Sequence, residues 1–259
     1  IFNVIIIAVM DIVERKSAIF TKISPGHILA ATYGMLLAAI AAIFILLKLK
    51  AAVFGVGIDA MLLAIIYFIG LRTISRYEQK PREEKLVYLA DGIVAEARET
   101  MTDITLVKAI RGLALNALLI IGGGIFLSYS AGEIADITGV GATFIGSILV
   151  SLVTSLPELV SCIAAVKIGA IDMAVGNVLG SNIFNIFTIF ISDLAYRGGP
   201  ILSIGSSLHA VTALFGLVLS GVVILGLSYR SKKQYAGVGI DSIIIIAIYL
   251  IAVYILFQR

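Results

Sequence analysis

The chain has 259 residues, of which 60% are hydrophobic and only 14% charged, with a mean hydropathy of +1.11. That balance excludes a soluble globular domain and defines an all-α polytopic membrane protein that lives in a lipid bilayer. The net charge of +3 singles out no charged partner and gives no reason to expect nucleic acid, and a single cysteine, Cys162, excludes an internal disulfide.

In chain order, an apolar segment at 1–10 comes first. Spans are predicted at 28–47, 57–74, 105–128, 138–166, 172–192, 209–229 and 238–257. Alternating the connections between two sides places 15 of the 19 Lys and Arg residues in loops 11–27, 72–112, 167–171 and 229–237. The positive-inside rule makes that side cytoplasmic and puts the C-terminus outside, as expected for a multi-pass protein of a prokaryotic cell membrane. In the 75–104 connection, Leu86, Leu89, Ala90, Ile93, Val94 and Ala97 follow helical spacing and predict an amphipathic surface helix.

Displacing the chain by 182 residues aligns its two ends without a gap. I-F-N at 1–3 meets I-F-N at 183–185, G-V-G-I-D at 55–59 meets G-V-G-I-D at 237–241, and 21 of the 77 paired positions are identical. The pairs include Asp11 with Asp193, Arg15 with Arg197, Ser24 with Ser206, and the two histidines, His27 and His209. Shared apolar composition would not align rare polar residues in this way. Paired segments fall on opposite sides, so the expected architecture is an inverted-repeat transporter with five helices per repeat. Residues 1–77 are then the C-terminal part of repeat 1, 78–104 a cytoplasmic linker, and 105–259 a complete repeat 2. Ile1 pairs with Ile183, a mid-span position, so the N-terminal helices of repeat 1 are expected to be missing from this sequence. The repeat also predicts a partner carboxylate for Glu158, 25 residues before Ile1.

Glu158 sits inside the apolar run of the 138–166 span. A charge near a bilayer centre costs roughly 2.5–3.5 kcal/mol on insertion scales, so it is rarely there without a task. Ser151, Thr154, Ser155 and Glu158 fall at i, i+3, i+4 and i+7 and share one helical stripe. Pro157 lacks an N–H and crowds the carbonyl of Val153, which predicts a kink and loosened backbone oxygens. A carboxylate, hydroxyls and freed carbonyls together describe a hard-cation site. On the next span, Asn177, Ser181 and Asn185 form a second polar stripe at i, i+4 and i+8, for which interhelical hydrogen bonding is the alternative reading. Gly176 and Gly180 form a small-xxx-small pair suited to close helix approach.

The motifs G-A-T-F-I-G at 141–146, T-S-L-P-E-L at 154–159 and G-N-V-L-G-S-N-I-F-N at 176–185 resemble the second α-repeat of the sodium/calcium exchanger family, within the cation/calcium antiporters. The resemblance implies a ten-helix inverted-repeat carrier with ions bound between the two α-repeats. By position it implies Thr154, Ser155 and Glu158 as metal ligands, a backbone carbonyl from Ser151 for sodium, Ser181 and Asn185 from the next helix, and Asn3 as the symmetric ligand of the first repeat. Val153 stands where many relatives carry glycine. Asn185 stands where some carry aspartate, which removes a negative charge and bears on how many sodium ions or protons are coupled.

The function implied is exchange of Na+ for Ca2+ by alternating access, with H+-coupled antiport of Ca2+ or another divalent cation as the alternative and a cation channel behind both. Ca2+, Na+ (or H+) and lipid are the expected partners, the protein is expected to be monomeric, and no cofactor is expected. An intramembrane enzyme would need a nucleophile with its base or a histidine-bearing metal cluster near Glu158, and neither histidine is expected there. The absence of a phosphate-binding glycine loop argues against ATP-driven pumping. The remaining polar residues receive structural readings. His27 and His209 are expected at the interface, with tuning of activity by pH as the alternative, and Asp59 and Asp241 are expected to mark helix starts, with ion binding as the alternative. Asp11 and Asp193 form ion pairs with Arg15 and Arg197, Glu133 and Asp136 belong to a solvated loop, and Gly122, Gly123 and Gly124 serve close packing.

Overall fold

Long runs of Ile, Leu, Ala and Val can satisfy their backbone groups in lipid only by closing them into helices. The computed structural model, which describes residues 1–15, 17–77, 106–139, 141 and 144–258, is built accordingly. Its helices are α1 (Phe2–Glu14), α2 (His27–Leu47), α3 (Ile58–Tyr77), α4 (Leu106–Thr138), α5 (Ile145–Thr154), α6 (Leu156–Lys167), α7 (Ile171–Ala195), the single turn α8 (Ile201–Ile204), α9 (Leu208–Tyr229) and α10 (Ile240–Phe257). Among the described residues six helices are long and apolar enough to cross a membrane, or seven if α5 and α6 count as one broken span. The protein is therefore an all-α polytopic membrane protein. The amphipathic stretch at 86–97 lies outside the described residues.

One boundary moves substantially. The 105–128 span continues as α4 to Thr138, so Glu133 and Asp136 belong to its last turns and not to a loop. No glycine or proline between Gly132 and Gly139 offers a stop. Gly139 ends the helix in the left-handed conformation (φ 68°), with its N–H donating to the Ala135 carbonyl at 3.0 Å.

The connections after α2 and α9 are small antiparallel hairpins. In the first, β1 (Ala52–Val53) pairs with β2 (Val56–Gly57); in the second, β3 (Gln234–Tyr235) pairs with β4 (Val238–Gly239). Their turn residues, Phe54-Gly55 and Ala236-Gly237, all have positive φ (53°, 85°, 52° and 81°). A two-residue type I′ turn requires that conformation, and glycine meets the second position without strain. Lys48 and Arg230 close α2 and α9 in the same left-handed conformation. Each of these features recurs at the 182-residue offset.

Among the described pairings the most extensive is α2 against α9, which are equivalents at that offset. Leu37, Leu219 and Val223 are fully buried there. Helix α7 packs on α2 and α6, while α1 packs on α10, α6 and α7. Aromatic contacts join the two ends of the sequence: Tyr67 stacks on Phe187 with centroids 4.4 Å apart, and its equivalent Tyr249 meets Phe2 edge-on at 6.2 Å. Outward faces are apolar, as lipid contact demands. Ile120 and Phe126 on α4 are examples, and α4 itself rests on the π-helical opening of α5, Ile145–Val150.

The glycines behave differently from expectation in two places. Gly122, Gly123 and Gly124 have nothing within 4 Å of where a Cβ would stand, because α4 keeps that face away from the other described helices. Of the Gly176 and Gly180 pair, only Gly176 meets a neighbour, the His27 ring at 3.4 Å. The tight contact lies elsewhere: a Cβ on Gly226 would stand 2.8 Å from the fully buried Phe20 ring. Gly226→Ala should therefore cost about 1–3 kcal/mol through overpacking, read as a lower thermal-unfolding midpoint in detergent. Gly123→Ala should leave that midpoint unchanged or slightly raised, since alanine is the better helix former.

Candidate functional site

The site is built around the break between α5 and α6, which meet at 46° with Ser155 at the junction (φ −99°, ψ 5°). Pro157 falls in the first turn of α6, where its missing N–H is tolerated. The expected kink is present, and it turns one span into two short helices.

Ser155, Leu156, Pro157 and Glu158 have the spacing of a capping box, in which serine and glutamate would satisfy each other's backbone amides. The chain does not use it. Ser155 makes no side-chain cap, and its hydroxyl donates to Asn3 Oδ1 at 2.6 Å. Its N–H is held by the Ser151 carbonyl at 3.1 Å. Glu158 is thereby left free of the helix start while remaining in the first turn of α6, where the positive end of the helix dipole favours a carboxylate. Glu158 Oε2 is shielded from solvent and has no hydrogen-bond partner among the described residues. A buried acceptor left in that state costs about 1–3 kcal/mol, and a cation is a partner that would satisfy it.

The hydroxyls of the stripe are poised similarly. Ser151 Oγ donates to the Ser147 carbonyl at 2.6 Å, and Thr154 Oγ1 donates to the Val150 carbonyl at 2.9 Å. Each proton is turned back into the helix, which leaves the oxygen lone pairs available to an electrophile.

A cavity of about 610 Å³ collects most of the expected residues. Asn3, Ser151, Thr154, Ser155 and Asn185 line it; Glu158 and Ser181 are not in its wall. Asn177 serves as interhelical glue, donating from Nδ2 to Ser161 Oγ on α6 at 3.3 Å, and Ser161 Oγ in turn donates to the Glu158 backbone carbonyl at 3.0 Å.

The cavity also contains residues that the sequence reading passed over. Thr188 and Ser192 line it, and they lie at i+3 and i+7 from Asn185, a continuation of the stripe that spacing could have revealed. Thr212 and His209 reach it from α9, which no local pattern announces. His209 thus faces the cavity and is not merely interfacial. His27 is buried at the start of α2 with Nε2 3.3 Å from Asp172 Oδ1, a structural placement.

Asp11 and Asp193 require a correction. Neither pairs with its expected arginine; Arg15 turns its Nε to the Ile12 carbonyl at 3.1 Å. Both carboxylates are almost fully buried, at 0% and 1% exposure, and both are held by backbone amides. Asp11 accepts from the Ile19 N–H at 2.7 Å and the Gly239 N–H at 2.6 Å. Asp193 accepts from the Ile201 N–H and the Gly57 N–H, each at 2.6 Å. Depth explains the choice: a buried carboxylate can be reached by loop amides folded over it, while Arg15 and Arg197 stay exposed. Asp59 and Asp241 do lie in the first turns of α3 and α10, as expected.

Fold and cavity together define a helical membrane protein with an oxygen-lined pocket at a broken span. The chain belongs to the sodium/calcium exchanger protein family, whose model matches residues 108–258. It is 44% identical over 81 residues to the sodium/calcium exchanger MaX1 of Methanosarcina acetivorans, covering 31% of this chain and 23% of that protein. It is 36% identical over 77 residues to the putative antiporter CaxA of Alkalimonas amylolytica, covering 30% and 24%. A longer match, 28% identical over 216 residues, is to the uncharacterized membrane protein MJ0091 of Methanocaldococcus jannaschii, covering 82% of this chain and 63% of that protein. The chain thus spans less than two thirds of the length of each of these relatives. No solved structure matches it significantly.

The Ser155–Asn3 bond is the direct link between the break and α1, so the two residues should be energetically coupled. A double-mutant cycle with Ser155→Ala and Asn3→Ala should give a coupling of about 0.5–1.5 kcal/mol in thermal or denaturant unfolding. Strict additivity would mean that the bond contributes nothing.

Proposed function

We propose that this chain works within a secondary antiporter that exchanges Na+ for Ca2+ by alternating access between inverted repeats. The observation that carries the reading is the hydrogen bond from Ser155 to Asn3, residues 152 positions apart, at the break of a bent span and on the wall of an oxygen-lined cavity. Calcium favours about six to eight oxygen ligands, and Ser151, Thr154, Ser155, Asn185 and Asn3 offer hydroxyl, amide and carbonyl oxygens around one space. Glu158, outside that wall but with an unpartnered shielded oxygen, would supply the negative charge, and Ser181, also outside the wall, would complete the proposed ligand set from α7. Sodium ions compete for the same oxygens, so occupancy by one ion excludes the other. That exclusion couples the gradient of one to the uphill movement of the other.

The test is calcium uptake into proteoliposomes holding the protein at its full natural length, driven by outward sodium or by a pH gradient without sodium. The expected result is uptake that requires internal sodium and falls by about ten-fold or more in Glu158→Gln, which keeps the shape and removes the charge. Uptake driven by the pH gradient alone would assign proton coupling instead. Absence of calcium flux under both gradients would overturn the calcium assignment.

A further inference from the structure

Asp11 and Asp193 are related by the 182-residue offset, and so are all four of their amide donors. Asp11 binds Ile19, and Asp193 binds the equivalent Ile201; Asp193 binds Gly57, and Asp11 binds the equivalent Gly239. Each carboxylate therefore makes one bond within its own half and one to the hairpin of the other half. The hairpin glycines are required by this arrangement. A Cβ on Gly57 would stand 2.3 Å from Asp59 Oδ1 and 3.4 Å from Asp193 Oδ2, and one on Gly239 would stand 3.0 Å from Asp11 Oδ2.

The helices that carry these carboxylates also carry cavity residues. Asp11 lies eight residues after Asn3 on α1, and Asp193 lies eight residues after Asn185 on α7. Charge-assisted bonds from two backbone amides to a buried carboxylate are among the stronger protein hydrogen bonds. They fix the far end of each helix axially against the opposite half. We propose that Asp11 and Asp193 are paired positioning residues of the cavity: two equivalent clasps that lock α1 to the β3–β4 hairpin and α7 to the β1–β2 hairpin, and so hold the walls bearing Asn3 and Asn185 in register. The proposal rests on the exchanger reading for its effect on transport, while the clasps themselves do not depend on it.

The test uses the protein at its full natural length. Asp193→Asn keeps the side-chain shape but removes the charge and one acceptor. Hydrogen–deuterium exchange should accelerate at Gly57 and Ile201 and stay unchanged at Gly239 and Ile19, and Asp11→Asn should give the reverse. The crossed pattern, a substitution in one half exposing an amide in the other, is the signature of the clasps; unchanged exchange in both variants would overturn them. For positioning, a thiol placed on the cavity wall by Thr188→Cys should react faster with a small water-soluble thiol reagent when combined with Asp193→Asn. The KM for calcium should rise about ten-fold with the maximal rate little affected. Loss of folded protein with unchanged KM and unchanged reactivity of that introduced thiol would reduce both aspartates to general stabilisers and overturn the proposal. If the unsubstituted protein carries no calcium, the exchanger reading fails on its own, and the exchange pattern with the thiol reactivity still decides the clasps.

Discussion

The hydroxyl of Ser155 can do only one thing with its proton, and the architecture of the cavity follows from where that proton goes. In a soluble helix the S-x-x-E sequence would close on itself as a cap. Here the Ser155 oxygen accepts from no amide of that turn, and its proton goes to Asn3 at 2.6 Å, which ties the start of α6 to α1. The Ser155 N–H, which a capping-box glutamate would bind, is held by the Ser151 carbonyl at 3.1 Å, and Glu158 keeps an unpartnered, shielded oxygen among the described residues. A low-dielectric setting magnifies both effects, since an unsatisfied group is costly there and a satisfied one is worth more.

The bend at Ser155 and the two aspartate clasps answer the same constraint from opposite ends of the helices. Within lipid, every polar group must find its partner inside the protein. At the break, freed helix ends and serine, threonine and asparagine side chains serve one another around a cavity of about 610 Å³. At the far ends of α1 and α7, carboxylates with 0% and 1% exposure are satisfied by amides from the hairpins. The hairpins can present those amides because Gly55 and Gly237 permit a tight type I′ turn and because Gly57 and Gly239 carry no side chain. Motifs that stand in the sequence as repeated G-V-G-I-D therefore have separate duties within five residues: turn, amide donor and helix start.

Much of the candidate site was legible in advance because it rests on local rules. Helical spacing placed Ser151, Thr154 and Ser155 on one stripe, and Pro157 marked the bend. What escaped was set by contacts distant in sequence. His209 and Thr212 enter the cavity because α9 packs on α2, and no periodicity within α9 distinguishes that face. In the sequence, Arg15 and Arg197, four residues on, are the obvious partners of Asp11 and Asp193, being the nearby opposite charges. Burial excluded them, since an amide can follow a carboxylate into the interior at less cost than a guanidinium.

By itself the sequence determined the membrane setting, most of the span positions, the 182-residue internal correspondence and the bend marked by Pro157, because lipid solvation and helix periodicity act on neighbouring residues. Only the tertiary structure decided which polar groups meet. The Ser155 N–H could have bound the Glu158 carboxylate or the Ser151 carbonyl, and Asp193 could have paired with Arg197 or with the Gly57 amide. Choices of that kind are settled by which groups packing brings within about 3 Å and how fully it removes the competing water.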